Sequence, residues 1–333
     1  MKGFTAVNST ITANIACAFA LSATACATGT ANAPLSPAET SRPSANREAA
    51  VSNAVPEAKR AIEQGNFSKA IESLKAAQAN GQRDAEVHFY LGVALAGNGQ
   101  GKDAQQSLSQ ALELQPGLTD ASLNLSALML DEGEFAGAKQ VADRGLQRAP
   151  EDLGLLQNRA MAQMGLGDST GAAATLRTVL ERLPADEELR FLRAEALVDG
   201  QQAEAKRELK RLLTSNNVQV LASAGDLLGR LKEWDLCISA FDRALTKQQK
   251  AQLHVQRGLC RHGKKDEAGA LEDFRAAVQA EPEFAQAHFY LGHSLLKAKA
   301  GSSEAKSAFK KTMELAGSDS RLGKAAARAL QNL

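Results

Sequence analysis

Five histidines, four cysteines and two glycine-rich turns are the residues of this chain whose types suggest chemistry. A metal site needs imidazoles or thiolates gathered into one coordination sphere, usually announced by close pairing such as His-x3-His or Cys-x2-Cys. His88, His254 and His288 instead occur singly, each at the head of a similar apolar pattern, which is the place of a packing residue. His262 and His293 stand apart from any other histidine. The run Gly97-Asn98-Gly99-Gln100-Gly101-Lys102 superficially matches a phosphate-cradling loop. It lacks the first glycine (Ala96 is there), puts Asp103 where a magnesium-binding hydroxyl belongs, and follows a helical pattern rather than a strand. Like Gly165-Leu166-Gly167-Asp168, it is an inter-helix turn. No nucleophile-elbow, zinc-protease or zinc-hook spacing occurs, so neither an enzyme, a metal, a cofactor nor a small-molecule substrate is expected.

Two cysteines carry a further expectation. Cys237 replaces a small residue early in one amphipathic helix, and Cys260 another late in the next. Antiparallel packing of those helices brings the two positions together, as a disulfide or as two small buried side chains.

The elements that position these residues repeat. The word HFYLG occurs at 88–92 and again at 288–292, and it contains both tyrosines of the chain. Between the copies the same grammar of two amphipathic helices recurs, in units starting near Val51, Ala85, Thr119, Leu153, Glu187, Val218, Ala251 and Ala285. In the second unit Leu91, Gly92 and Leu95 stripe one helix, a glycine-rich break follows, then Ala104, Leu108, Ala111 and Leu112 stripe another before Pro116. No such pair buries its apolar face alone, so neighbours must stack. The fifth unit is three residues short.

This pattern resembles the tetratricopeptide repeat, with its Leu-Gly in the first helix and Ala, Phe and Pro at fixed offsets in the second. The seventh unit shows it in Gly258, Ala270, Phe274, Ala277 and Pro282. The third keeps Ala138, Gly145 and Pro150, and the fourth Ala172, Leu176 and Pro184. The family's Trp slot is His in three units, and Arg159 and Arg193 stand where Leu is usual. The resemblance implies an all-α fold, an α-solenoid wound as a right-handed superhelix of about eight helix pairs over 51–318, closed by a capping helix over 319–333.

The resemblance also implies a concave groove lined by first helices, on which a partner's extended peptide or helix docks. Residues just off the core stripe fall there: Phe89, Tyr90 and Val93, then Leu123, Asn124 and Leu130, then Gln157, Met161 and Met164. Further along are Phe191, Glu195, Val255, Leu259, Phe289, Tyr290 and His293. Phe89, Tyr90, Phe289 and Tyr290 are expected to serve the partner rather than the packing. The family's carboxylate-gripping Lys and Asn have aromatic or aliphatic residues in their places. Charge agrees with a protein partner: the chain is net +1 and its repeats are balanced, leaving no basic face to displace counterions from a nucleic acid.

The first fifty residues differ. One Lys precedes an apolar stretch, about Ile11 to Ala25, too short and polar-broken to span a membrane, which reads as an export signal. Leu21-Ser22-Ala23-Thr24-Ala25-Cys26 resembles a bacterial lipoprotein signal, lipidated at Cys26, with Ala23 where Leu is usual; ordinary cleavage near Ala25 or Ala33 is the competing reading. A signal over 1–26 and a Pro/Ser/Thr/Ala tether over 27–50 then suspend the array in the periplasm, with the outer membrane favoured. The expected function is a non-enzymatic envelope scaffold assisting assembly of a pilus, secretion or outer-membrane complex. The alternatives are a periplasmic chaperone and a regulatory subunit of an envelope hydrolase.

Overall fold

The computed structural model describes residues 54–298 and 302–333. The expected signal, Cys26 and the tether lie outside the described residues. Within them are seventeen α-helices and no strand. The first unit of the fold ends at Thr175 and the second begins at Leu176, a division that falls inside one helix. In order the helices are α1 (Ala54–Glu63), α2 (Phe67–Ala79), α3 (Ala85–Gly97), α4 (Gly101–Leu114), α5 (Thr119–Asp131), α6 (Phe135–Leu146), α7 (Leu153–Gly165) and α8 (Ser169–Arg182). There follow α9 (Glu187–Leu197), α10 (Gln202–Leu212), α11 (Val218–Arg230), α12 (Trp234–Lys247), α13 (Ala251–Gly263), α14 (Glu267–Ala280), α15 (Ala285–Lys297), α16 (Ser302–Ala316) and α17 (Arg321–Gln331).

First helices α3, α5, α7, α9, α11, α13 and α15 begin at the residues where the repeat units were expected to start. Local chemistry sets those starts. The Asp84, Asp152 and Asp186 carboxylates accept the amides of Val87, Leu155 and Leu189 at 2.8–2.9 Å, capping α3, α7 and α9; such a cap stabilises a helix by about 1 kcal/mol. Each first helix ends in a left-handed turn residue. Gly99, Gly133 and Gly167 hold φ of 76–78°, and Lys232 and Lys265 hold 60° and 72° in the equivalent places of later repeats.

Two pairings of absence and bulk lock the helices together. Within a repeat, a Cβ on Gly225, Gly258 or Gly292 would come within 2.7–2.8 Å of the ring of Phe241, Phe274 or Phe309. In the second repeat Leu108 fills the same role against Gly92, at 2.6 Å. Between repeats, Gly97, Gly165 and Gly263 lie directly against the rings of Phe67, Phe135 and Trp234, each the first residue of the preceding second helix. The small residue expected at Gly92 is therefore one instance of a rule. Around these contacts the core is Ala and Leu, with Leu74, Leu95 and Leu108 fully buried in the first unit and Leu209, Leu221, Phe241 and Phe309 in the second. Each such large side chain contributes roughly 1.5–3 kcal/mol.

The arginines in leucine slots are accommodated by acids on the facing helix. In the α9–α10 pair, buried Arg193 donates to buried Glu208 at 2.7 Å and also to Glu204, while Arg190 meets Glu208 at 2.6 Å. In α13–α14, Arg257 holds buried Asp273 at 2.5 Å and Arg261 approaches it at 3.2 Å. Arg159 has no acid on α8 and reaches back to Asp143 on α6 at 3.8 Å. The C-terminal α17 packs on α16 with Gly323 and Ala326 buried.

Candidate functional site: the inner layer of first helices

Within each unit the successive first helices pack on one another, whereas the second helices are held farther apart. Such a layer curves with its first helices inward, so their uncovered flanks form the concave side. In the first unit that side presents Phe89 and Tyr90 of α3, both partly buried, with ring centroids 5.0 Å apart in an edge-on contact. Leu123 and Asn124 of α5 and Gln157, Met161 and Met164 of α7 are likewise half-buried.

The second unit shows Phe191 and Glu195 on α9, Leu259 on α13, and Phe289, Tyr290 and His293 on α15. Phe191, Glu195, Leu259, Phe289 and Tyr290 are partly buried, and His293 is exposed.

Three expected groove residues are core instead. Val93 is 4% exposed, Val255 1% and Leu130 6%. A residue's uncovered flank depends on how closely the next first helix approaches, and at these positions the neighbouring helix covers the side chain. The aromatic pairs also do more packing than expected. Tyr290 stacks on Phe274 with centroids 5.6 Å apart, and Phe289 lies edge-on to His293 at 4.6 Å and to Phe309 at 6.1 Å. The second HFYLG thus completes the last core as well as facing inward.

Sequence reasoning passed over Asp226. It lies on α11, 31 residues after Glu195, which is the length of the short repeat, so both occupy the same register. Solvent touches its side chain, yet desolvation pushes the carboxyl up to about 6, against the pull of Arg230 one turn away. That combination belongs to a concavity, where water reaches the group but protein fills much of the surrounding volume. Glu195 is raised by the same desolvation, partly offset by Arg230 at 3.7 Å.

The histidines divide as packing would have it. His88 is buried and accepts from Gln78 at 3.2 Å through Nδ1. His254 bonds Gln249 through Nε2 at 3.1 Å, and burial first, then Arg257, lowers its pKa against the opposing Asp273. His288 contacts the Pro282 carbonyl, and His262 pairs with Glu267 at 2.8 Å. Among the described residues no group of His, Cys, Asp and Glu is arranged to hold a metal ion, and no helix is long and apolar enough to cross a membrane. Cys237 of α12 and Cys260 of α13 face each other with Cα atoms 6.0 Å apart and are joined as a disulfide, both buried.

Comparison with known proteins bears on this architecture. One tetratricopeptide repeat model matches residues 55–117 and 265–320, and a second matches residues 95–164. Over 210 residues the chain is 25% identical to DnaJ homolog subfamily C member 3 of Homo sapiens, covering 57% of this chain and 42% of that protein. The chain therefore spans less than half the length of that relative. A tetratricopeptide repeat protein from Parabacteroides merdae superposes with a TM-score of 0.54 at 19% identity, covering 74% of this chain and 99% of that one. The C-terminal part of a TPR repeat-containing protein from Cytophaga hutchinsonii gives 0.53 at 13% identity, covering 83% and 99%. At such identities the likeness speaks for the fold, and it agrees with the helix pairing, the 34-residue turn spacing and the small-against-bulky contacts. Residues 55–164 and 265–320 are tetratricopeptide repeats, and the succession of helix pairs as a whole is the all-α helical repeat fold of tetratricopeptide-repeat proteins.

Proposed function

We propose that this chain is a non-enzymatic scaffold that holds a protein partner's peptide or helix against the inner layer of its first helices. The observation that carries the reading is the Phe89–Tyr90 pair, two rings that close the core with one side and leave the other open on the concave face. Solenoids of stacked repeats characteristically bind along such surfaces, and aromatic anchors at a half-buried site supply large contact area at small entropic cost. A balanced charge over the repeats supports a protein rather than a nucleic acid as the occupant.

The proposed setting is the bacterial cell envelope. The short apolar stretch before Cys26 supports export with a lipid anchor there, and the Pro/Ser/Thr/Ala segment to residue 50 supports a tether. A bridged Cys237–Cys260 pair fits an oxidising compartment. In that setting the scaffold would serve assembly of a pilus, secretion or outer-membrane complex.

Affinity capture from membranes with the wild-type chain and a Phe89→Ala/Tyr90→Ala/Phe289→Ala variant tests the binding reading. One stoichiometric partner, lost in the variant, is expected. Many substoichiometric clients would favour a chaperone, and capture indifferent to the variant would sink the groove as the binding site. For the setting, intact-mass analysis of the mature N-terminus is expected to show a lipidated Cys26; a retained Met1 would refute export.

A further inference from the structure

The inner layer of the first unit has a charge pattern that its outer helices lack. First helices α3 and α5 carry Glu86, Asp120 and Asp131 and neither Lys nor Arg. The second helices packed behind them mix both signs: Lys69, Glu72 and Lys75 on α2, Lys102, Asp103 and Glu113 on α4, Lys139, Asp143 and Arg144 on α6. The acid bias is thus a property of one face.

That bias converges on a single side chain. Helices α1, α3 and α5 lie side by side, and Glu63, Glu86 and Asp120, one from each, act on the Tyr90 phenol. Desolvation first, and then these three carboxylates, raise its pKa, so the phenol stays a neutral donor in a negative field. All three carboxylates are exposed, and among the described residues none has an ion-pair partner. The cations of α1, Lys59 and Arg60, are absent from the groups that act on Tyr90. Beside the phenol lie the half-buried Phe89 and, on α5, Leu123. The result is an apolar floor with an unneutralised acidic rim.

We propose that this face is built for one kind of occupant: an amphipathic segment of a partner protein with Lys or Arg flanking its apolar side. Its apolar side chains lie on Phe89, Tyr90 and Leu123, and its cations meet Glu63, Glu86 and Asp120. The inference rests on the partner-binding reading above and gives that partner a charge. Like-signed carboxylates held near one another gain from a cation delivered among them, and a one-signed concavity speeds encounter with the opposite charge.

The test uses the full chain and two labelled model peptides with the same leucine face, one with lysines on its polar face and one with glutamates, read by fluorescence anisotropy. The Leu/Lys peptide is expected to bind about tenfold more tightly than the Leu/Glu peptide, the scale of three partly exposed ion pairs. Glu63→Gln/Glu86→Gln/Asp120→Asn is expected to erase that preference. An isocharge control on the outer helices, Glu72→Gln/Asp103→Asn/Glu113→Gln, is expected to preserve it. Phe89→Ala/Tyr90→Ala is expected to weaken both peptides, with Phe89→Leu/Tyr90→Leu in reserve if the alanine variant melts without cooperativity. Equal binding of the two peptides, or a preference that survives the inner-face variant or vanishes in the outer-face control, would overturn the charge proposal. If binding is equal but still lost in the ring variant, the partner-binding reading stands alone; if neither peptide binds, both fall.

Discussion

Asp226 illustrates how one residue can record the shape around it. Its carboxyl ordinarily titrates at 3.8 and is pushed up to about 6 in the fold, so between those values the folded chain binds the proton more tightly than the unfolded one. Its contribution therefore penalises the fold at neutral pH, and the penalty disappears as pH falls through 6 toward 3.8. The full shift corresponds to about 3 kcal/mol, which solvent contact of this exposed side chain reduces to about 1 kcal/mol. Asp226→Asn is expected to raise the melting temperature at pH 7.5 by a few degrees and to leave it unchanged near pH 4, measured by circular dichroism. An equal rise at both pH values would refute the assignment. Glu195 was legible as an inward residue from its register, and Asp226 holds the same register one repeat later. The signal was present in the spacing; what hid it was the three-residue shortening of the fifth repeat, which shifts every later position.

A helix pair is where buried charge becomes a structural commitment. Arg193 and Glu208 are both nearly inaccessible and mutually bonded, so removing one leaves the other buried without its full complement. Glu208→Ala is expected to cost about 3–5 kcal/mol in urea denaturation, whereas Arg193→Leu/Glu208→Leu recovers most of it, because apolar side chains satisfy the same space without desolvation. A double variant as unstable as the single one would show that the pair is not the reason for the loss. The start of each repeat and the two-helix grammar were readable because apolar periodicity and turn residues are local signals. The arginines were readable only as departures, since their partners sit 15 or 16 residues on, at Glu208 and Asp273, across a turn. Val93 and Val255 were misplaced for a related reason: whether the flank of a helix is covered is decided by a neighbour more than thirty residues away.

At the scale of the molecule, an array of repeats is as stable as its internal pairs and the interfaces between neighbours. The Cys237–Cys260 bridge spans such an interface, α12 to α13, closing a loop of 23 residues. Cross-links over loops of that size stabilise by about 3 kcal/mol through the unfolded state. Cys237→Ala/Cys260→Ala is expected to lower the melting temperature by about 5–10 °C, and mass spectrometry under non-reducing conditions should find no free thiol at either position. Two free thiols in the native protein would remove the staple from the account. The glycine-against-ring contacts between repeats have an historical consequence. Phe67 requires Gly97 in the following repeat, and Phe135 requires Gly165; the repeat between them pairs Gly101 with Asp131 instead. Excise the second repeat and Phe67 confronts Asp131, a side chain where a hollow is needed. The units are keyed to their neighbours, so a lineage can duplicate or lose them only in sets that keep lock and key together.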